Sequence, residues 1–165
     1  MKKLTLVFKL ILVMFISTAS CDKDSSLEPD DRFLENEIPN DTTMTEITSN
    51  KLRISIGSSS FTATLSDNAS ARAFKAQLPL TLNMIELNGN EKYVDLSQSL
   101  PTSASIPSSI QNGDLMLYGA NTLVLFYKSF NTSYSYTKLG KIDNPTGLPA
   151  ALGNSNITVR FEIIQ

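Results

Sequence analysis

The sequence predicts a mainly β domain of about eight short strands with one or two short helices. Three observations predict it. Apolar and polar residues alternate at both ends of the region 51–165, the pattern of half-buried strands. Turn signals rich in Gly, Asn, Asp and Pro recur at short spacing, as in a sandwich or a barrel. One stretch, 122–128, is apolar on both faces, so it needs cover on both sides. A barrel closed by a helix would supply that cover.

The elements follow in order. Leu52, Ile54 and Ile56 alternate with Lys51, Arg53 and Ser55 as a first strand. Gly57 to Ser60 turns the chain, and Phe61, Ala63 and Leu65 form a second strand, completing a hairpin. Asp67 and Asn68 offer side chains that accept from free helix N–H groups. Ala69 to Gln77 is then a short helix, with Ala71, Phe74 and Leu78 on one face and Pro79 as its stop. Thr81 to Leu87 and Glu91 to Leu96 are strands joined at Asn88-Gly89, a strong hairpin signal. Ser97 to Gln111 is a Ser- and Pro-rich loop. Leu115 to Tyr118 and Thr122 to Lys128 are strands around Gly119-Ala120-Asn121. In the second of these, Val124 and Phe126 face one way and Leu123, Leu125 and Tyr127 the other. Tyr134, Tyr136 and Thr137 to Leu139 read as a further strand, Leu148 to Leu152 as one helical turn closed by Gly153, and Ile157 to Ile163 as the last strand.

Residues 1–20 read as a secretion signal. Lys2 and Lys3 precede a continuous apolar run, Leu10 to Ile16, which is too short to span a membrane. Thr18, Ala19 and Ser20 are the small residues at the cut. Cys21, the chain's single cysteine, then stands where the lipobox of bacterial lipoproteins carries its lipidated residue, with Thr18 in place of the usual aliphatic one. Acylation gives a lone thiol a use in a compartment where free thiols pair wrongly. At about 0.8 kcal/mol per buried CH₂, several acyl chains anchor stably where one does not. The opening Cys21-Asp22-Lys23-Asp24 partly resembles signals that send Gram-negative lipoproteins to the outer face of the outer membrane. The expected location is therefore the bacterial cell envelope, on the outer membrane, with the membrane as partner through the anchor.

Residues 21–50 read as an acidic, disordered tether: from 22 onward they hold nine acids and two bases, with few large apolar side chains. The domain, 51–165, holds seven acids and nine bases. Without the signal the chain carries 11 bases against 16 acids, a net charge of −5. No basic patch points to nucleic acid. The chain has no histidine, which excludes His/Cys metal sites and Ser-His or Cys-His nucleophiles. A carboxylate-only site for a hard cation stays open, but neither a metal nor a cofactor is expected.

Four stretches form a set: Phe61-x-Ala-x-Leu65-x-Asp67-Asn68 with its Ala-rich helix and Leu78-Pro79, then Gly113-Asp114-Leu-Met-Leu-Tyr118, Leu123-Val-Leu-Phe-Tyr127 and Tyr136-x-x-Leu139-Gly140-x-Ile142. In this order they resemble the small bacterial cyclophilin-like domains. The resemblance implies a closed eight-stranded cyclophilin-like barrel, but not isomerase activity, because one fold hosts many functions. Prolyl isomerases of this fold carry a Phe-His-Arg run and a Phe-Met-x-Gln-Gly run, whose arginine polarises the prolyl amide. Neither run is present, and Arg53, Arg72 and Arg160 lie in other contexts.

The expected function is therefore a non-catalytic binding module on a lipid tether, with a peptide or small-molecule ligand. The alternatives are an isomerase with a non-standard arginine and a small-molecule enzyme using the barrel pocket. The candidate ligand-binding residues are Tyr93, Tyr118, Tyr127, Tyr134, Tyr136 and Arg72, with Phe126 among the aromatics. A tyrosine has an apolar body and a wet end, which suits recognition. No catalytic residue is assigned. Glu86 and Glu91, flanking the Asn88-Gly89 turn, read as charges that keep a hairpin soluble, and Asp95 lies on the next strand.

Overall fold

Local pattern and long-range pairing together make a closed antiparallel barrel. The computed structural model describes residues 49–164. The signal, Cys21 and the tether as far as residue 48 lie outside the described residues. The strands are β1 (Lys51–Ile56), β2 (Ser59–Leu65), β3 (Leu80–Leu87), β4 (Glu91–Asp95), β5 (Asp114–Tyr118), β6 (Thr122–Phe126), β7 (Thr137–Ile142) and β8 (Ile157–Ile163). Two short helices, α1 (Ala69–Lys75) and α2 (Leu148–Leu152), interrupt them. Around the barrel the order is β1-β2-β7-β5-β6-β4-β3-β8, closing on β1. Closure leaves no unpaired sheet edge. No helix among the described residues is long and apolar enough to cross a membrane.

The interior is filled by the inward halves of the alternating strands. Leu52, Ile54 and Ile56 of β1 meet Val159 and Phe161 of β8, Met84 of β3, and Leu123 and Leu125 of β6. Asn68 caps α1 by accepting from the Ala71 N–H at 2.8 Å. The helix then buries Ala71 and Phe74 in that same core. The Phe74 ring meets Phe161 edge to face, with centroids 6.0 Å apart. Leu148 and Leu152 of α2 are also fully enclosed.

Several boundaries differ from expectation, and three of them matter most. α1 stops at Lys75, two residues early, because Gln77 and Leu78 close its end with bonds to Phe74 and Lys75 carbonyls. β6 ends at Phe126, and the Tyr127 N–H turns instead to the Asn90 carbonyl. The seventh strand runs over Thr137–Ile142, so Tyr134 and Tyr136 precede it in a loop. Its position is set by Gly140. That residue sits where β7 crosses β2, and a Cβ there would lie 2.5 Å from the Thr64 carbonyl oxygen. No real side chain tolerates that approach, so only glycine at this register lets β2 and β7 pair and the barrel close.

Gly140→Ala is expected to destabilise the barrel by about 3 kcal/mol, as overpacking against fixed backbone does. The midpoint of denaturant unfolding measures it, and an unchanged midpoint would show that β2 and β7 can part without cost.

Candidate functional site

Strand parity decides which face each side chain of β3, β4, β5 and β6 occupies. In β6, Leu123 and Leu125 are inside the barrel and Val124 and Phe126 are outside, all buried. Pairing carries that division across the sheet. Tyr93 of β4 is opposite Val124, Glu91 is opposite Phe126, and Asp95 is opposite Thr122. Met116 and Tyr118 of β5 are opposite Val124 and Thr122. The outer face therefore carries a row of aromatic and acidic side chains.

Two loops cover part of that outer face. The long connection after β4 is pinned by the Leu96 and Leu100 N–H groups, which donate to Asn121 and Ala120 carbonyls at 2.8 and 2.7 Å. The loop after β6 joins it through single bridges, Ser105 with Tyr136 and Ile110 with Phe130. Ile110, Met116, Val124, Phe126 and Tyr136 thereby form a second apolar cluster outside the barrel. A chain of ring contacts leads outward from it: Phe126 to Tyr136 at 5.5 Å, Tyr136 to Tyr118 at 5.6 Å, and Tyr118 to Tyr134 at 6.3 Å.

Where the loops end, a groove of about 430 Å³ remains, within the range of small-molecule sites. Its walls are Tyr93, Tyr118, Tyr134 and Tyr136, with Leu87, Asn88, Thr122 and Val124, and two carboxylates, Glu91 and Asp95. Tyr134 is 62% exposed and Tyr118 46%, whereas Tyr136 is buried. The Tyr136 phenol is pushed up to about 12 by burial, reinforced by the Glu91 charge. It is therefore a hydrogen-bond donor at physiological pH. Burial also raises the Glu91 carboxyl above the ordinary 4.5, and the Glu86 charge adds to this. Asp95 accepts from the Thr122 hydroxyl at 2.6 Å.

Four of the six residues expected to meet a ligand thus line one groove. The other two do not. Tyr127 faces the barrel interior, as its parity with Leu123 and Leu125 requires. Arg72 stands on α1 and pairs with Asp67 at 2.6 Å, away from the groove. Arg53 and Arg160 are exposed on β1 and β8.

Sequence reasoning missed an interior polar cluster around Lys92. That lysine is fully buried, because it shares parity with Val94 and Leu96. This parity was the available signal. Its ammonium donates to Glu86, to the Gly153 carbonyl at 3.0 Å and to the Ser155 carbonyl at 2.8 Å. It also sits 5.5 Å from the centre of the Tyr127 ring. Glu86 further accepts from the Tyr127 hydroxyl at 2.8 and 2.9 Å and from the Gly89 N–H at 2.8 Å. Burial pushes the Glu86 carboxyl up, but bonds from Lys92, Tyr127 and Gly89 outweigh it and hold the group below 4.5. Burial, then the bond to Glu86, raises the Tyr127 phenol to about 12. Each of the three ammonium protons has an acceptor, so the cluster ties β4 to β3 and to the α2–β8 segment and offers nothing to a substrate.

With this geometry in hand, comparison with known families matches residues 54–162 to the Cyclophilin-like family. The chain belongs to that family. The cyclophilin-like chain also resembles a hypothetical protein from Archaeoglobus fulgidus, solved in solution. The two are 19% identical with a TM-score of 0.49, over 70% of this chain and 95% of that one. No curated protein matches the cyclophilin-like chain.

Two outcomes test the interior cluster of this cyclophilin-like barrel. Lys92→Ala strips a buried ion pair of one partner and is expected to cost about 3 kcal/mol, whereas Lys92→Met combined with Glu86→Gln costs less. Denaturant midpoints of the three proteins decide it. Because the Glu86 carboxyl is depressed, its stabilisation is complete above pH 4.5 and is lost as pH falls through the lower folded value. The stability gap between wild type and Glu86→Gln should therefore narrow on acidification below that point.

Proposed function

We propose that this cyclophilin-like protein is a lipid-anchored protein of the bacterial cell envelope whose barrel serves as a non-catalytic binding module. The tyrosine groove is where a peptide or small molecule docks. One observation carries the reading: aromatic side chains with free polar tips converge on a groove that no arginine among the described residues lines. An isomerase of this fold needs an arginine beside its proline pocket. In this chain Arg53, Arg72 and Arg160 are on β1, α1 and β8. The interior Lys92–Glu86–Tyr127 cluster is closed to ligands, which weighs against an enzyme working inside the barrel.

The anchor rests on the apolar run Leu10 to Ile16, the small residues before Cys21 and the acidic stretch after it.

Cells fed a radioactive fatty acid are expected to label the wild-type protein and not Cys21→Ser; an unlabelled wild type would remove the anchor. The module reading predicts no acceleration of cis–trans exchange in a prolyl peptide, a step slow enough to follow directly. Acceleration abolished by changing Arg53, Arg72 or Arg160 would replace the module with an isomerase.

A further inference from the structure

The groove has a charge and a wall chemistry that together select a class of ligand. Region 51–165 holds more bases than acids, nine against seven, yet no Lys or Arg among the described residues lines the groove. Its charged side chains are both carboxylates. Glu91 is half-buried and has no hydrogen-bond or ion-pair partner among the described residues. Lys92, its neighbour in sequence, points into the barrel and is fully engaged there. Asp95 uses one oxygen on Thr122 and leaves the other free. An unpaired, half-buried carboxylate is a cost unless something positive visits it.

The walls narrow the choice further. Tyr118 meets Tyr134 at 85° and Tyr136 at 53°, so the rings form a corner rather than a stack. A corner of electron-rich rings attracts a cation that is only weakly hydrated. A hard metal ion instead needs six or more oxygen ligands, and two carboxylates among phenols and aliphatic side chains fall short of that. Leu87 and Val124 supply apolar contact for a carbon frame.

We propose that the groove binds a small organic cation: an alkylated ammonium group seated among Tyr118, Tyr134 and Tyr136 and neutralised by Glu91, with Asp95 at the rim. This rests on the reading of the barrel as a binding module and gives its ligand a chemical class. Tyr136 donates its phenolic hydrogen and so can orient a polar group carried by the same molecule.

The test uses the full chain in non-ionic detergent, followed by NMR titration with three probes. Choline is the cation, dimethylbutanol its neutral isostere and butanoate the anion. Choline is expected to shift groove resonances and to bind about tenfold more tightly than the neutral isostere, with butanoate inert. Glu91→Gln should weaken choline about tenfold and leave the isostere unchanged. Tyr134→Leu, at an exposed position, should weaken choline more than the isostere. A wild-type measurement guards against an unfolded variant: added salt should weaken choline and spare the isostere. If the isostere or butanoate binds as well as choline, or if salt has no effect, the cation assignment fails and the module stands. If no probe moves the groove resonances, the cation assignment fails and the module reading loses its groove as well.

Discussion

The architecture turns on a strand that must be covered on both faces. Val124 and Phe126 are as fully buried as Leu123 and Leu125, although the two pairs face opposite ways. The barrel core accounts for the inner pair. β6 pairs with β4 and β5, which lie beside it in the sheet and so do not cover the outer pair. The cover comes from the two longest connections, 96–113 and 127–136, which cross the outer face and bridge each other. Burying these side chains favours the arrangement by about 25 cal/mol for each Å² of apolar surface removed from water. The bridges satisfy part of the loop backbone that this burial would otherwise strand.

The groove is the place where that cover stops. Tyr136 belongs to the covered cluster, Tyr118 bridges its edge, and Tyr134 is largely in water. A continuous path of ring contacts therefore runs from an ordered interior to an open surface. Side chains held from behind in this way have less freedom left to lose on contact with any bound molecule. The site is thus built from residues that also stabilise the loops.

Glu86 and Glu91 flank the same turn and have opposite fates, which illustrates how much parity decides. Glu86 is opposite Lys92 and points inward, where Lys92, Tyr127 and the turn amide saturate it. Glu91 is opposite Phe126 and points outward into the groove with no partner. One carboxylate fastens the barrel and the other faces the groove unpaired. Asn88 and Gly89, both with positive φ, make the tight turn that keeps the two in this relation.

The sequence alone determined the features that are local. Alternation placed β1, β2 and β8, the Asn88-Gly89 dipeptide placed the β3–β4 turn, Asn68 announced a helix cap, and the two-faced run 122–128 demanded cover on both sides. These follow from side-chain period and turn chemistry, which a chain carries without reference to its partners. The tertiary structure decided the rest. Tyr134 and Tyr136 alternate as a strand would, but Gly140 sets the pairing of β7 with β2 and leaves them in the loop. Lys92 in a strand reads as a solvated charge until Leu125 stands opposite it and the Gly153 and Ser155 carbonyls close over its ammonium. Tyr127 and Arg72 share their residue types with a binding surface, yet the first turns into the core and the second stays with Asp67 on α1. Register and loop cover come from contacts between residues far apart in the chain, and no local pattern encodes which of several compatible partners will be met.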